Sequence, residues 1–299
     1  MEINVLNQNF GIKNQVEFFN LNDTFAAVRI TNNSAISEIS LYGAHVMSFV
    51  PKGQKDILWM SPNCIYQEGT PLRGGIPICL PWFSAHPTDT TKPMHGFVRL
   101  NTWNVLETKA IDDNTTCIKL GIKSNENTKK LWNEDFETEL LVMVGKKLEV
   151  KLTYINLSKN DVTISCALHS YFNIGNNDTT CIEGLLETDF LDNLENQKQK
   201  KQTEKLLNID KEINRRYINT TNDCLIHDKE LRRIVRVAKQ NSNASVVWNP
   251  FSETIKTMKD LPHEGYKSFV CIEAANINKD ARTLKPNEKH ELTTILSLY

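Results

Sequence analysis

An excess of charge of either sign is missing from this 299-residue chain: 35 Lys and Arg stand against 36 Asp and Glu, a formal net charge of −1. Without an overall positive field the chain has nothing to draw it onto a nucleic-acid backbone, so nucleic acid is not an expected partner. Patterned cysteine is missing too. The seven cysteines, at positions 64, 79, 117, 166, 181, 224 and 271, form no CxxC pair, and several sit in apolar runs such as 164–168. An odd, unclustered set of this kind argues for a reducing compartment, with neither a disulfide framework nor a structural zinc site. Long apolar stretches are absent as well. Runs such as 140–144 fall far short of the roughly 20 residues that a bilayer crossing takes, so no membrane partner is expected. The first residues, MEINVLNQNFGIKNQ, have neither a basic start followed by an apolar stretch nor an Arg/Ser-rich amphipathic character. A cytoplasmic location is the expectation, and the Asn-x-Ser/Thr matches then carry no meaning, because glycosylation requires secretion. No internal repeat and no Gly/Ser- or Pro-rich linker divides the chain, so residues 1–299 are expected to form a single domain. All-β domains of more than 200 residues are common.

What the chain does contain is a composition of 40% hydrophobic and 24% charged residues, enough to bury a sizeable core. Short runs rich in Val, Ile, Thr and aromatics recur about every ten residues between Asn/Asp/Gly/Lys clusters, the pattern of a sandwich or barrel. Strands are predicted over 26–31, 35–41, 45–50, 117–123, 139–144, 148–156, 162–171, 181–187, 231–237, 245–248, 268–274 and 291–298. The polar, lysine-rich segment 193–208 reads as a solvated loop. Two strands can be read for facing. Val162, Ile164, Cys166 and Leu168 point one way, while Thr163, Ser165, Ala167 and His169 point the other. Glu273 lies in VCIEAA, which removes an acid from bulk water and calls for an explanation.

The densest stretch is 71–99, PLRGGIPICLPWFSAHPTDTTKPMHGFVR, which reads as structured loop. Gly74 and Gly75 permit backbone angles barred to other residues and would fix Arg73 on a tight turn. Arginine is scarce in this lysine-rich chain, and its planar fork suits a phosphate or carboxylate, which makes Arg73 and Arg99 candidate anion ligands. Composition alone favours the plainer alternatives, in which each pairs with a surface acid and His95 is a hydrogen-bonded core histidine. His169, in ALHSYFN, and Glu273 together supply a proton donor working near neutrality and a desolvated carboxylate, each on a rigid strand. Those are the components of sugar ring opening. A base removes the O1 proton, an acid protonates the ring oxygen, the C1–O5 bond breaks, and rotation about C1–C2 precedes the reverse transfers. No metal or organic cofactor is needed.

Segments 41–50 (LYGAHVMSFV), 56–61 (DILWMS), 72–83 (LRGGIPICLPWF), 95–99 (HGFVR), 168–172 (LHSYF), 247–250 (VWNP) and 270–273 (VCIE) resemble, in order, the glucose-6-phosphate 1-epimerase group of the aldose 1-epimerase family. The resemblance spans most of the chain. It implies an all-β fold, the large antiparallel galactose mutarotase-like sandwich with few short helices, and a hexose 6-phosphate as the small-molecule substrate. It places the family's acid at His169 and its base at Glu273, the phosphate on Arg73 and Arg99, and His95 near the sugar. Asp192, in DFLDNLENQ, matches an acid that bonds sugar hydroxyls. The chain departs from the common pattern at Leu80, Ser84 and Met94, which bear on sugar preference. A monomer is expected. Three alternatives remain beside this reading: an epimerase for unphosphorylated aldoses such as galactose, a non-catalytic sugar-phosphate binding module, and a sandwich glycosidase, which would ordinarily need paired carboxylates.

Overall fold

In the computed structural model, which describes residues 2–299, two large antiparallel sheets carry most of the chain. One has nine strands, in the order Leu206–Asn208, Thr180–Glu183, Cys224–Asp228, Arg233–Gln240, Lys289–Leu298, Leu148–Asn156, Phe136–Val144, Thr115–Lys123 and Asn104–Asp112. The other, which carries the candidate site, runs Lys198–Lys201, Asp189–Asp192, Ile213–Ile218, Ala244–Asn249, Phe269–Asn276, Cys166–Leu168 and Ile78–Cys79, and Tyr171–Asn173 also pairs with Phe269–Asn276. A smaller sheet at the N-terminal end starts with Val16–Asn20, Ala26–Thr31 and Ala35–Ser40. Helices are short, the longest being Ile3–Phe10, and no helix among the described residues is long and apolar enough to cross a membrane.

The alternation of side chains along each strand decides which residues are left for chemistry. Val247, Ile272 and Leu168 from the site-bearing sheet share one buried cluster with Leu140, Val150 and Leu296 from the nine-stranded sheet. Each such side chain contributes about 1.5–3 kcal/mol on burial. Because the pleat repeats every two residues, this inner face locks the register, and a one-residue slip would drive Glu273 into the core. The opposite face carries a smaller cluster of Cys79, Ala167, Ala244, Val246, Ala275 and Ile277, with Phe83 against it. On this face Val246 and Phe83 line the candidate cavity.

The strand read as 162–171 is in fact broken. Val162–Ile164 pairs with Arg282–Leu284 in a separate two-stranded sheet, and only Cys166–Leu168 joins the site-bearing sheet. The facing read from the sequence holds across the break: Val162, Ile164, Cys166 and Leu168 are in the main core, and Ala167 is on the other face. The expectation of a solvated loop over 193–208 is corrected, since Lys198–Lys201 and Leu206–Asn208 are strands. Each is the terminal strand of its sheet. Lysine is one of the residues that keep an exposed edge from pairing with another chain, so KQKK reads as polar linker although it forms a ladder on one side.

Candidate active site

The loop 71–99 is tied along the edge of the site-bearing sheet by the backbone. Ile78–Cys79 pairs with Cys166–Leu168, the His169 N–H donates to the Pro77 carbonyl at 3.0 Å, and the Tyr171 N–H donates to Gly75 at 2.8 Å. Gly75 has φ +57, and a Cβ there would run into the Val46 carbonyl and the His45 ring. Only glycine fits that approach. Buried His45 supports the same turn. Its Nε2 lies 2.8 Å from the Gly74 carbonyl, which can only accept, so Nε2 carries the proton; burial pushes the imidazole down to about 3 and keeps it neutral. Gly96, at φ +75, sits where a Cβ would overlap the Leu80 carbonyl, so the second half of the loop folds back onto the first.

Glu273 and His169 meet on the floor of a cavity of about 420 Å³, within the range of small-molecule sites. Leu168 is paired with Ala274 across the two strands, which puts His169 beside Glu273, and His169 Nε2 lies 3.3 Å from Glu273 Oε1. Both side chains are buried, at 8% and 1% exposure. Glu273 Oε2 and His169 Nδ1 have no hydrogen-bond partner. Burial drives Glu273 well above the usual carboxylate range, with Arg216 and Arg99 pulling against it. Burial also drives His169 well below the usual imidazole range, helped by His95, Arg99 and Arg73. Burial thus favours the neutral form of each group, and the cations near Glu273 oppose this at the carboxyl.

Three guanidinium groups line this cavity, Arg73, Arg99 and Arg216. Arg73 is anchored: Nε lies 2.8 Å from Asp260 Oδ2 and Nη1 donates to Tyr171 Oη at 2.9 Å. Burial opposes its charge, but Tyr171 and Asp260 outweigh it and hold the guanidinium fully protonated. Arg99 has no such partner. Its Nη2 donates to the Met94 carbonyl at 2.8 Å, its Nε is buried without a partner, and among the described residues no carboxylate lies within 4.0 Å of it. His95 adopts φ +63, which is uncommon outside glycine and recurs at functional sites. Its Nδ1 accepts from the Ser84 N–H at 3.1 Å, which leaves the proton on Nε2. Burial together with Arg99, Arg73 and Arg216 lowers it to about 3, so it lines the cavity as a neutral donor.

Asp192, to which the resemblance gives a sugar-binding place, is not among the residues that line this cavity. On the strand Asp189–Asp192 it shares a face with Phe190, which packs in the core, so the pleat turns it away. Its carboxylate accepts from the Leu194 N–H at 3.1 Å and from Lys200 Nζ at 3.1 Å. The next residue, Asn193, lines the cavity instead and donates to Asn214 Oδ1 at 2.6 Å. Sequence reasoning missed Arg216, Asn214 and Trp248. The strand holding the first two is only six residues long and too polar for its composition to mark it as a strand, although the RRY run is a point where two arginines must face opposite ways once it is extended. Ser84 and Met94, two of the three departures from the family pattern, also line the cavity, whereas Leu80 is in the core.

A family model described as aldose 1-epimerase matches residues 26–297. The chain is 32% identical to a protein of Escherichia coli (strain K12) over 85% of this chain and 84% of the relative, and 34% identical to one of Salmonella typhimurium (strain LT2) over 84% of each. Both relatives carry the name "Putative glucose-6-phosphate 1-epimerase". Among solved structures, a Salmonella typhimurium protein described as a "putative mutarotase (YeaD)" superposes with a TM-score of 0.90 at 29% identity, covering 97% of this chain and 95% of that one. The galactose 1-epimerase of Lactobacillus acidophilus NCFM superposes with a TM-score of 0.71 at 12% identity, over 95% and 98%, and shares the fold.

Proposed function

Given that the chain belongs to the aldose 1-epimerase family, we propose that it interconverts the α and β anomers of glucose 6-phosphate or a closely related hexose 6-phosphate. The observation that carries the reading is the buried carboxyl–imidazole pair at 3.3 Å on the floor of a cavity ringed by guanidinium groups. Glu273 takes the proton from O1 while His169 delivers one to the ring oxygen. The C1–O5 bond breaks, the open-chain aldehyde turns about C1–C2, and the two transfers run in reverse. Each group is expected to contribute about 10²–10⁴ in rate. No cofactor enters, because the steps are proton transfers to and from Glu273 and His169 and the breaking and re-forming of one C–O bond, with no change of oxidation state.

The cations that hold His169 neutral also give the substrate a part in the chemistry. A phosphate dianion on Arg73 and Arg99 offsets the positive excess and raises the imidazole, so that His169 can carry the proton it delivers to the ring oxygen. The neutral Nε2–H of His95 is suited to a sugar oxygen. An epimerase for unphosphorylated aldoses would have no use for Arg99, whose Nε is buried without a partner and which has no carboxylate within 4.0 Å among the described residues. A module that only binds would not need Glu273 and His169 as a pair. The same reading takes residues 1–299 as one cytosolic catalytic domain that works as a monomer.

The test starts from freshly prepared α-glucose 6-phosphate and follows anomer exchange through a coupled β-specific dehydrogenase. Wild type accelerates the exchange, and His169→Asn and Glu273→Gln fold normally and lose most of the activity. Full activity in both variants would remove this function.

A further inference from the structure

The strand Ile213–Ile218 carries two arginines in succession, and the pleat sends them to opposite faces. Arg215 turns away from the cavity, with Nη1 donating to Gln202 Oε1 at 3.0 Å and its guanidinium 4.6 Å from the Phe190 ring centre. Arg216 stands on the cavity side, its guanidinium 5.4 Å from the centre of the Phe83 ring. Its Nε is buried with no hydrogen-bond partner, and among the described residues no carboxylate lies within 4.0 Å of it. A partly buried cation with no acid beside it is costly to keep.

Register shows what it faces. Arg216 is paired with Val246, and Val246 with Glu273, so the three form one row across adjacent strands on the cavity face. Side chains in such a row start about 5 Å apart, and valine is too short to block an arginine reaching over it. We propose that Arg216 is a positioning residue for the reaction, a guanidinium held across Val246 that opposes the effect of burial on Glu273 and so favours the carboxylate that takes the O1 proton, and that it does not grip the phosphate.

This rests on Glu273 being the base proposed above. The other ionisable groups that face Glu273 are His169 from the neighbouring strand end, Arg99 from the loop, Cys79 from the edge strand, Tyr171, and Cys271 on its own strand. Burial pushes Cys79, Cys271 and Tyr171 up, so all three are neutral at pH 7, and burial and the nearby cations hold His169 neutral. The positive charge acting on the carboxyl therefore comes from Arg216 and Arg99, with Arg216 the stronger. Contact with the Phe83 face holds the guanidinium in place without neutralising it.

The experiment compares Arg216→Met, Arg216→Gln and Arg216→Lys with wild type. It measures kcat/KM for α-glucose 6-phosphate across roughly pH 5 to 9, whose acid limb reports the base in the free enzyme. Removing a cation raises the pKa of a neighbouring carboxyl, so the acid limb of the Met and Gln variants should move to higher pH by about 1–3 units. The Lys variant should keep the wild-type limb. KM well above the limb should stay within about twofold in all three, as an interaction outside phosphate binding requires. Titration of ¹³C-labelled glutamate, with Glu273→Gln identifying the signal, should show the same displacement in the absence of substrate. An unshifted limb and an unshifted Glu273 signal in both neutral variants would overturn the role. So would a tenfold rise in KM at every pH without a limb shift, the signature of a phosphate ligand. Full activity of Glu273→Gln would remove the base itself, whereas an inactive Glu273→Gln enzyme together with unshifted Arg216 variants removes only the part given to Arg216.

Discussion

Replacing Arg99 with Met separates binding of the phosphate from stability of the fold, because Arg99 does little for the empty protein. Its one hydrogen bond is to the Met94 carbonyl, its Nε is buried without a partner, and among the described residues no acid lies within 4.0 Å. Removing it forfeits one bond of about 1 kcal/mol and relieves the desolvation of an unpaired charge, so thermal stability should change by no more than a few degrees. Towards a phosphate dianion the same side chain offers a charge-assisted hydrogen bond in a site screened from water, worth about 1.5–3 kcal/mol. At 1.4 kcal/mol per tenfold, KM for glucose 6-phosphate should rise roughly 10- to 150-fold. Free glucose has no group for Arg99, and its KM should move by less than about twofold. The coupled dehydrogenase assay gives the first value and polarimetry on free glucose the second. Equal changes for the two sugars, or none for either, would refute the assignment of Arg99 to the phosphate.

Two further outcomes test the scaffold. Asp56 Oδ1 accepts from the Phe49 and Leu58 N–H groups at 2.9 Å each, yet burial raises its pKa to about 6. A carboxyl raised on folding contributes stability that is complete below its unfolded value near 4 and is lost as pH rises through about 6. Asp56→Asn, which keeps the acceptor, should therefore be more stable than wild type by up to about 3 kcal/mol in urea unfolding at pH 8, and the difference should vanish near pH 4. Gly75→Ala must strain a left-handed residue and push against the Val46 carbonyl. It should cost more than about 1 kcal/mol, lower Tm measurably by calorimetry, and raise KM for glucose 6-phosphate as Arg73 is displaced. A variant with wild-type Tm and KM would show that the turn does not hold Arg73.

Much of the sheet architecture could be read directly. Strands 26–31 and 148–156 coincide with Ala26–Thr31 and Leu148–Asn156, because their alternation is strong and their ends are marked by turn residues. The ones missed, such as Lys198–Lys201 and Ile213–Ile218, are short and polar, and one is an edge whose lysines look like loop. In these segments pairing partners from elsewhere in the chain, and not local composition, make the strand.

The same division runs through the site. Local sequence was enough to mark His169, Glu273, Arg73, Arg99 and His95, because each has an unusual neighbourhood: an imidazole beside small residues, an acid among apolar ones, arginines among prolines and glycines. Facing along one strand also follows from one sequence, since alternation is built into the pleat. Distances between strands do not. That His169 and Glu273 touch, that Asp192 turns inward where Asn193 does not, and that Arg216 shares a cross-strand row with Val246 and Glu273 all depend on register between segments tens of residues apart. Register is set by the summed burial of two facing sheets, a property of the whole core that no single segment carries.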